Sequence, residues 1–536
     1  MKNILYSLAA LLLPAVLLTS CYEDKSSDRY DPAGTIHISG VETQYTFLYE
    51  DYLDIKPVVK SDNPNAKLEY AWMLNTSIGT NLVHGAVRAD TIWREKDIRY
   101  LLDITPGTYH VGLKVTDTSI GSGYAQYVRC TLKVETPFTV GTYLLKETAS
   151  GDTEMDFINP SGELLPNLLE AYGGAPLAGA PQRISLVPNY YYTSVESTEF
   201  LQSNIIVPTS KKDMRIMNLN DLSTIWDFKT VFYEEERAGI PDETPLLMTI
   251  PLTAGYYPQM ATSKHVYLSR QNGSQGLKGS GKFGYPIEGQ LITKERSFSR
   301  YAITGSSGYM QGYTVFDELN GEFQKSSYSG SAVTMLSNYT TKRRLLYMGV
   351  SNGPGVGWGV FEGYDTDDGE DWNDDGETDD ENGTTLNRYI YQLNFSSGSS
   401  AIVSKFRIDP ADAPNFCKAD VYGTNKYGAS GQVIYAGVGD KLYRFSTATR
   451  TETLLEPEDL GAGEQITMIT QKGTGNSNGS NNLLIATFKG GNYKLYIYEI
   501  VQTTGVPTGK PTIITGVGKI LDAQHTSAFM SYYMNL

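Results

Sequence analysis

From about residue 141 onward the sequence keeps returning to one pattern. A short apolar strand leads into a Gly- or Asn-rich turn, then a strand in which aromatic residues alternate with polar ones, then a polar turn. "QVIYAGVGDKLYRFSTATRTETLL", from Gln432, is the clearest copy, and "NLLIATFKGGNYKLYIYEI", from Asn482, repeats its logic. "NIIVPTSKKDMRIMNLNDLSTIWDF" (from Asn204) and "RYAITGSSGYMQGYTVFDELNGEF" (from Arg300) are looser copies, while "KHVYLSRQNGS" and "RLLYMGVSNG" open two more. Alternation with a period of two belongs to β-strands, so this part is an array of short antiparallel strands. Unit starts are irregular, roughly 40 to 90 residues apart, because loops are inserted. Repeats of this kind build the four-stranded blades of a β-propeller, which closes on itself and so hides its strand edges. About 400 residues, 137–536, predict six to eight blades, with seven the central value. "GTYLLKETASGDTEMDFINP", from Gly141, is the candidate for the strand that closes the ring. An irregular array of β-sandwiches is the alternative.

A different spacing precedes the repeats, over residues 34–136. "LEYAWML" alternates around Trp72, "PGTYHVGLKVTD" is a turn followed by a strand carrying Tyr109, and "GYAQYVRCTLKVE" is a final strand. A Trp in a mid-domain strand and a Tyr after a Pro-Gly turn fit an immunoglobulin-like sandwich, with both rings in its core. In the last strand Val128, Cys130, Leu132 and Val134 share one face, so Cys130 reads as a small core residue. Cys417 is open to the same reading, and the two cysteines lie in separate domains, which argues against a disulfide. The chain is therefore all-β: a sandwich followed by a propeller-like domain, with 39 Tyr and 53 Gly supporting many strands and turns.

The chain begins "MKNILYSLAALLLPAVLLTSC". Lys2 and the apolar stretch Ile4 to Leu18 form an export signal (residues 1–20) too short for a membrane span of about 20 residues. "LTSC" resembles the lipobox of bacterial lipoproteins, which implies acylation of Cys21 and attachment to a membrane through lipid. Residues 21–33 then form an acidic linker, with Glu23 and Asp24 directly after the Cys. Acidic residues at this place resemble the export signal that carries Bacteroidota lipoproteins to the outer face of the outer membrane.

"YAWML" followed by "PGTYHVGLKVTD" resembles the PKD-like domain of a family of Bacteroidota surface lipoproteins. Such proteins run from a lipobox through an acidic linker and this domain into several hundred further residues, and the order here is the same. The resemblance implies work beside a SusC/SusD-type TonB-dependent transporter, where accessory lipoproteins capture oligosaccharides or peptides. The expected partners are that transporter complex, the capturable ligand and the outer membrane.

Net charge is −16, and "DTDDGEDWNDDGETDDENG" (Asp365 to Gly383) supplies eleven of the negative charges, so the remainder is only mildly acidic. Nucleic acid is excluded as a partner class by that sign and by the lack of a basic patch. The acidic stretch, an insertion over 365–385, sits between "GVGWGVFEGY" and "LNRYIYQLNF", so it extends one hairpin. Its core matches D-x-[DN]-x-D-G-x-x-D, the spacing of calcium loops in dockerins and thrombospondin-type repeats. Calcium takes six to eight oxygens, and Asp371, Asn373, Asp375 and Asp379 would offer side chains with the Glu377 carbonyl beside them. The upstream "DTDDG" is one residue short, leaving Asp365 and Asp367 as weaker ligands. An EF-hand is not implied: position twelve is Asn382, and Glu381 falls one residue early. The alternative is a solvated acidic loop kept extended by self-repulsion.

Catalytic motifs are scarce. The five His (His37, His84, His110, His265, His525) are widely spaced. "GLKGSGKF" places Phe283 where a phosphate loop needs Ser or Thr, and "GSSG" at Gly305 lacks the nucleophile-elbow spacing. A non-catalytic capture protein is thus the first reading. A propeller hydrolase or lyase, and a purely structural transporter subunit, are the alternatives. Ligand contacts are expected from aromatic clusters read as turns: Tyr191 within "NYYYT", Tyr256 and Tyr257, Tyr309 and Tyr313, with Trp372 in the acidic loop.

Overall fold

A computed structural model describes residues 35–49, 51–75, 90–104, 107–119, 123–193, 200–233, 243–249, 258–269, 281–286, 295–304, 313–326, 333–335, 340–351, 356–364, 385–394, 402–425, 432–472, 482–501 and 503–526. The chain divides into two compact units between Val134 and Glu135.

The first unit is a small β-sandwich. A five-stranded sheet runs Gln44–Leu48, Tyr124–Glu135, Gly107–Asp117, Leu68–Asn75, Asp90–Trp93, and two strand pairs, Ile36–Ser39 with Val58–Ser61 and Tyr52–Ile55 with Ile98–Leu101, complete it. Period-two alternation sets the core: Tyr109, Val111, Leu113 and Val115 all turn inward from one strand. Trp72 is wholly buried, and its indole N–H donates to the Lys96 carbonyl at 3.1 Å, so the ring's one polar atom is satisfied. Cys130 lies in the same core, where burial pushes its thiol up to about 11, the behaviour of an inert packing residue. Asp117 ends its strand facing inward. It accepts from the Ser119 hydroxyl at 2.6 Å, and also from the Ser119 and Lys67 amides and the Asn63 side chain, which hold its carboxyl at about 2.

The second unit contains seven four-stranded antiparallel sheets among the described residues. Six consist of four consecutive strands. Their first strands are Pro181–Thr193, Pro245–Thr249, Phe298–Thr304, Arg344–Val350, Val421–Thr424 and Gln465–Lys472. The seventh is composite: Gly141–Glu147, Thr153–Ile158 and Leu164–Leu165 come from the start of the unit, and Lys519–Thr526 comes from its end. The strand from Gly141 therefore pairs with the C-terminal strand, in register Gly141↔Thr526 to Glu147↔Lys519.

This pairing closes a ring. The six first strands touch one another in sequence order, and Lys519–Thr526 touches both Gln465–Lys472 and Pro181–Thr193. An apolar core fills each of the seven spaces between neighbouring sheets; Tyr190, Ile216, Met248 and Tyr267 fill one, and Leu144, Leu484, Tyr493 and Ile520 fill that between the last sheet and the composite one. Seven sheets packed face to face around a circuit, with first strands innermost, form a β-propeller-like domain. Each large apolar side chain buried in these spaces stabilises the ring by about 1.5–3 kcal/mol.

The sequence copies are real strands, read in mixed phase. The unit from Gln432 covers strands two to four of its sheet, that from Arg300 covers strands one to three, and "KHVYLSRQNGS" begins at strand three. First strands such as Pro245–Thr249 and Val421–Thr424 are buried at nearly every residue, as are the second strands Gln259–Thr262 and Val433–Val438, so alternation does not tell them apart.

Candidate functional site

Side chains from sheets that are not neighbours in the ring can meet only across its axis, and the inner strands bring a group of them together there. Arg183, on Pro181–Thr193, donates from Nη1 to the Ala302 carbonyl of Phe298–Thr304 at 3.4 Å, passing over the sheet between them. Asp522, on Lys519–Thr526, accepts from the Ile184 amide at 2.8 Å. Arg300 lies over the Tyr301 ring at 5.0 Å and donates to its hydroxyl at 3.2 Å. Tyr301 in turn meets Tyr347 of the next sheet edge-on, with ring centroids 5.4 Å apart.

The electrostatics link opposite sides of the ring. Burial disfavours the charge on Arg300, but Tyr301 and the Asp522 carboxylate outweigh it and hold the guanidinium above its usual range. Burial pushes the Tyr347 phenol up to about 12, against an opposing pull from the hydrogen-bonding Thr424 and from the Arg183 charge. The Tyr347 hydroxyl accepts from the Thr424 amide at 3.1 Å, and the Thr424 hydroxyl donates to the Val350 carbonyl at 2.6 Å. These contacts orient the phenol within the inner strands. Two guanidinium groups, one carboxylate and two tyrosine rings thus converge from four sheets. Such a set can bind a polar ligand through charge-assisted hydrogen bonds and aromatic surface.

The residues singled out in sequence are placed differently. Tyr191 is half-buried in the strand Pro181–Thr193, not in a turn, and its neighbour Tyr190 is wholly buried, donating to the Gly281 carbonyl at 2.6 Å. "NYYYT" is thus a continuous strand whose alternation is masked by three successive aromatics. Tyr313 opens the strand Tyr313–Asp317. Tyr256, Tyr257, Tyr309, Trp372, Cys21 and the acidic positions Asp365, Asp367, Asp371, Asn373, Asp375, Glu377 and Asp379 lie outside the described residues. The strands flanking the acidic stretch pair antiparallel from Gly363↔Asn387 to Val356↔Asn394, so it does connect the two arms of a hairpin. Among the described residues no group of three or more His, Cys, Asp or Glu is placed to hold a metal ion.

The axial residues carry no motif. Arg183 and Asp522 stand in unremarked stretches, and Arg300 merely opens one of the sequence repeats. Only their strand positions, combined with ring closure, identify them.

Residues 21–181 match the sequence model of the PKD-like family. The PKD-like match covers the sandwich and runs on through the three early strands of the composite sheet. No curated protein sequence matches the chain. Solved structures with similarity include dihydro-heme d1 dehydrogenase NirN in complex with DHE, at 9% identity and a TM-score of 0.38, covering 74% of this chain and 77% of that one. The WD40 domain of SCAP from fission yeast is similar at 8% identity and a TM-score of 0.33, over 63% of this chain and 77% of that one. YCF48 bound to D1 peptide is similar at 10% identity and a TM-score of 0.33, over 61% and 84%.

Proposed function

We propose that this PKD-like, propeller-bearing chain is a non-catalytic lipoprotein of the outer cell surface. It captures an oligosaccharide or peptide for a SusC/SusD-type TonB-dependent transporter. The observation that carries the capture role is the convergence of Arg183, Arg300, Asp522, Tyr301 and Tyr347 on the axis of a closed ring, where hydrogen-bonding groups are held by rigid strands. The export signal ending at Cys21 supports lipid attachment, and Glu23 and Asp24 support delivery to the outer face. No helix among the described residues is long and apolar enough to cross a membrane. The transporter assignment rests on the family resemblance, since a fold alone does not specify a partner.

Purification of the native protein from outer membranes under mild detergent tests the whole reading. A TonB-dependent transporter and a bound oligosaccharide or peptide should accompany it. Recovery of the protein alone and empty would overturn the role. A Cys21→Ser variant should leave the membrane fraction, and its retention there would remove the lipid anchor.

A further inference from the structure

The axial group has an excess of positive charge within a chain whose net charge is −16. Arg300 lies in the field of one carboxylate, Asp522, and that carboxylate already accepts the amide of Ile184, the residue after Arg183. Each guanidinium has five N–H donors in a planar fork. Among the described residues, hydrogen bonds engage one donor on Arg183, toward the Ala302 carbonyl, and one on Arg300, toward the Tyr301 hydroxyl. Those single bonds fix the direction of each fork without exhausting it.

We propose that the axial cluster is a carboxylate-binding site, with Arg183 and Arg300 taking the acid group of the captured ligand and Tyr301 and Tyr347 packing against the atoms that carry it. The proposal rests on the capture reading above and names its ligand class. Two guanidinium groups carried on strands of non-neighbouring sheets suit a planar anion, which accepts two parallel N–H bonds from a fork. Asp522 tempers the excess charge and selects against a dianion such as a phosphate ester. The acidic exterior does not forbid entry, since at physiological salt its field is screened within about 8 Å. Two sources offer this chemistry, a uronic-acid sugar and a peptide C-terminus.

Titration calorimetry on the full mature chain distinguishes them. The probes are trigalacturonate against neutral trigalactose, and an N-acetylated tripeptide with a free C-terminal carboxylate against its amide. One acidic probe should bind at least about tenfold more tightly than its neutral counterpart, the ratio expected when charge-assisted bonds are lost. Arg183→Met and Arg300→Met should each remove about that factor for the acidic probe and leave the neutral one unchanged. Arg300→Lys, which keeps the charge and loses the fork, should recover only part of it and serves if the Met variants do not fold. Equal binding of acidic and neutral probes, no binding of either acidic probe, or undiminished binding by the folded variants would each overturn the proposal. Acidic probes that bind no more tightly than neutral ones, and equally well to both folded variants, would overturn it while leaving capture intact; an empty, transporter-free native preparation would instead remove capture itself.

Discussion

The Tyr493 hydroxyl donates to Asp156 Oδ2 at 2.7 Å, joining the last consecutive sheet to the composite one across 337 residues of sequence. Asp156 is wholly buried and also holds the buried Lys146 ammonium at 2.6 Å, while the Asn167 amide donates to the same carboxylate. Lys146 lies two places on from the buried Leu144, so strand alternation carries it to the same face. The ring therefore closes through buried polar chemistry as well as through strand pairing. Asp156→Asn should destabilise the protein by about 3–5 kcal/mol, since it leaves Lys146 buried without its counter-charge. Tyr493→Phe should cost about 1.5–3 kcal/mol, the range for a hydrogen bond to a charged group. Urea unfolding measures both, and an Asp156→Asn midpoint equal to wild type would show that closure does not depend on this pair.

Glu243 supplies a pH-sensitive element. It precedes the inner strand Pro245–Thr249 and accepts from the Thr262 hydroxyl at 2.5 Å and the Tyr267 hydroxyl at 2.9 Å, with His265 Nδ1 at 2.5 Å. Burial alone would raise its pKa, but the bonds from His265, Thr262 and Tyr267 outweigh that and lower it. Its contribution is therefore full above the unfolded value of about 4.3 and is lost as pH falls through the lower folded value. Glu243→Gln should cost about 1–3 kcal/mol at pH 7, and its melting temperature should converge on wild type as pH drops below about 4. A gap that persists unchanged at pH 3 would show that the charge is not what stabilises this corner. Glu464 repeats the arrangement just before the inner strand Gln465–Lys472, with Thr487, Tyr496 and Lys494 as its partners.

Gly141 begins the closing strand where a side chain has no room. A Cβ there would overlap the Phe157 ring and the Ile158 carbonyl of the paired strand, and its φ of +156° is one that L side chains rarely adopt. Gly141→Ala should lower stability by about 1–3 kcal/mol, as overpacking does. Gly162→Ala, at a turn with nothing within 4 Å of its Cβ, is the matched control for positive φ. Equal melting temperatures for the two variants would remove the steric argument.

For the acidic insertion, calcium binding through Asp371, Asn373, Asp375, Glu377 and Asp379 is the expected outcome. Calorimetry with calcium should give a saturable heat that disappears in the Asp371→Ala, Asp375→Ala double variant. Absence of heat in both proteins would leave the stretch as a solvated acidic loop.

What could be read from sequence was whatever neighbours along a strand decide. Alternation around Trp72 and through Cys130 specified an inward face, because successive side chains on a strand point to opposite sides. The same rule marked the propeller strands, and the stretch from Gly141 was the candidate for closing the ring. The phase of the repeats was not legible, since a strand buried on both faces carries no sign of whether it lies at the axis or one place out. Nor was the axial cluster. Asp522 and Ile184 are 338 residues apart and meet only because Lys519–Thr526 returns to the start of the ring. Local pattern determined the strands, while closure of the ring decided which of their side chains share a site.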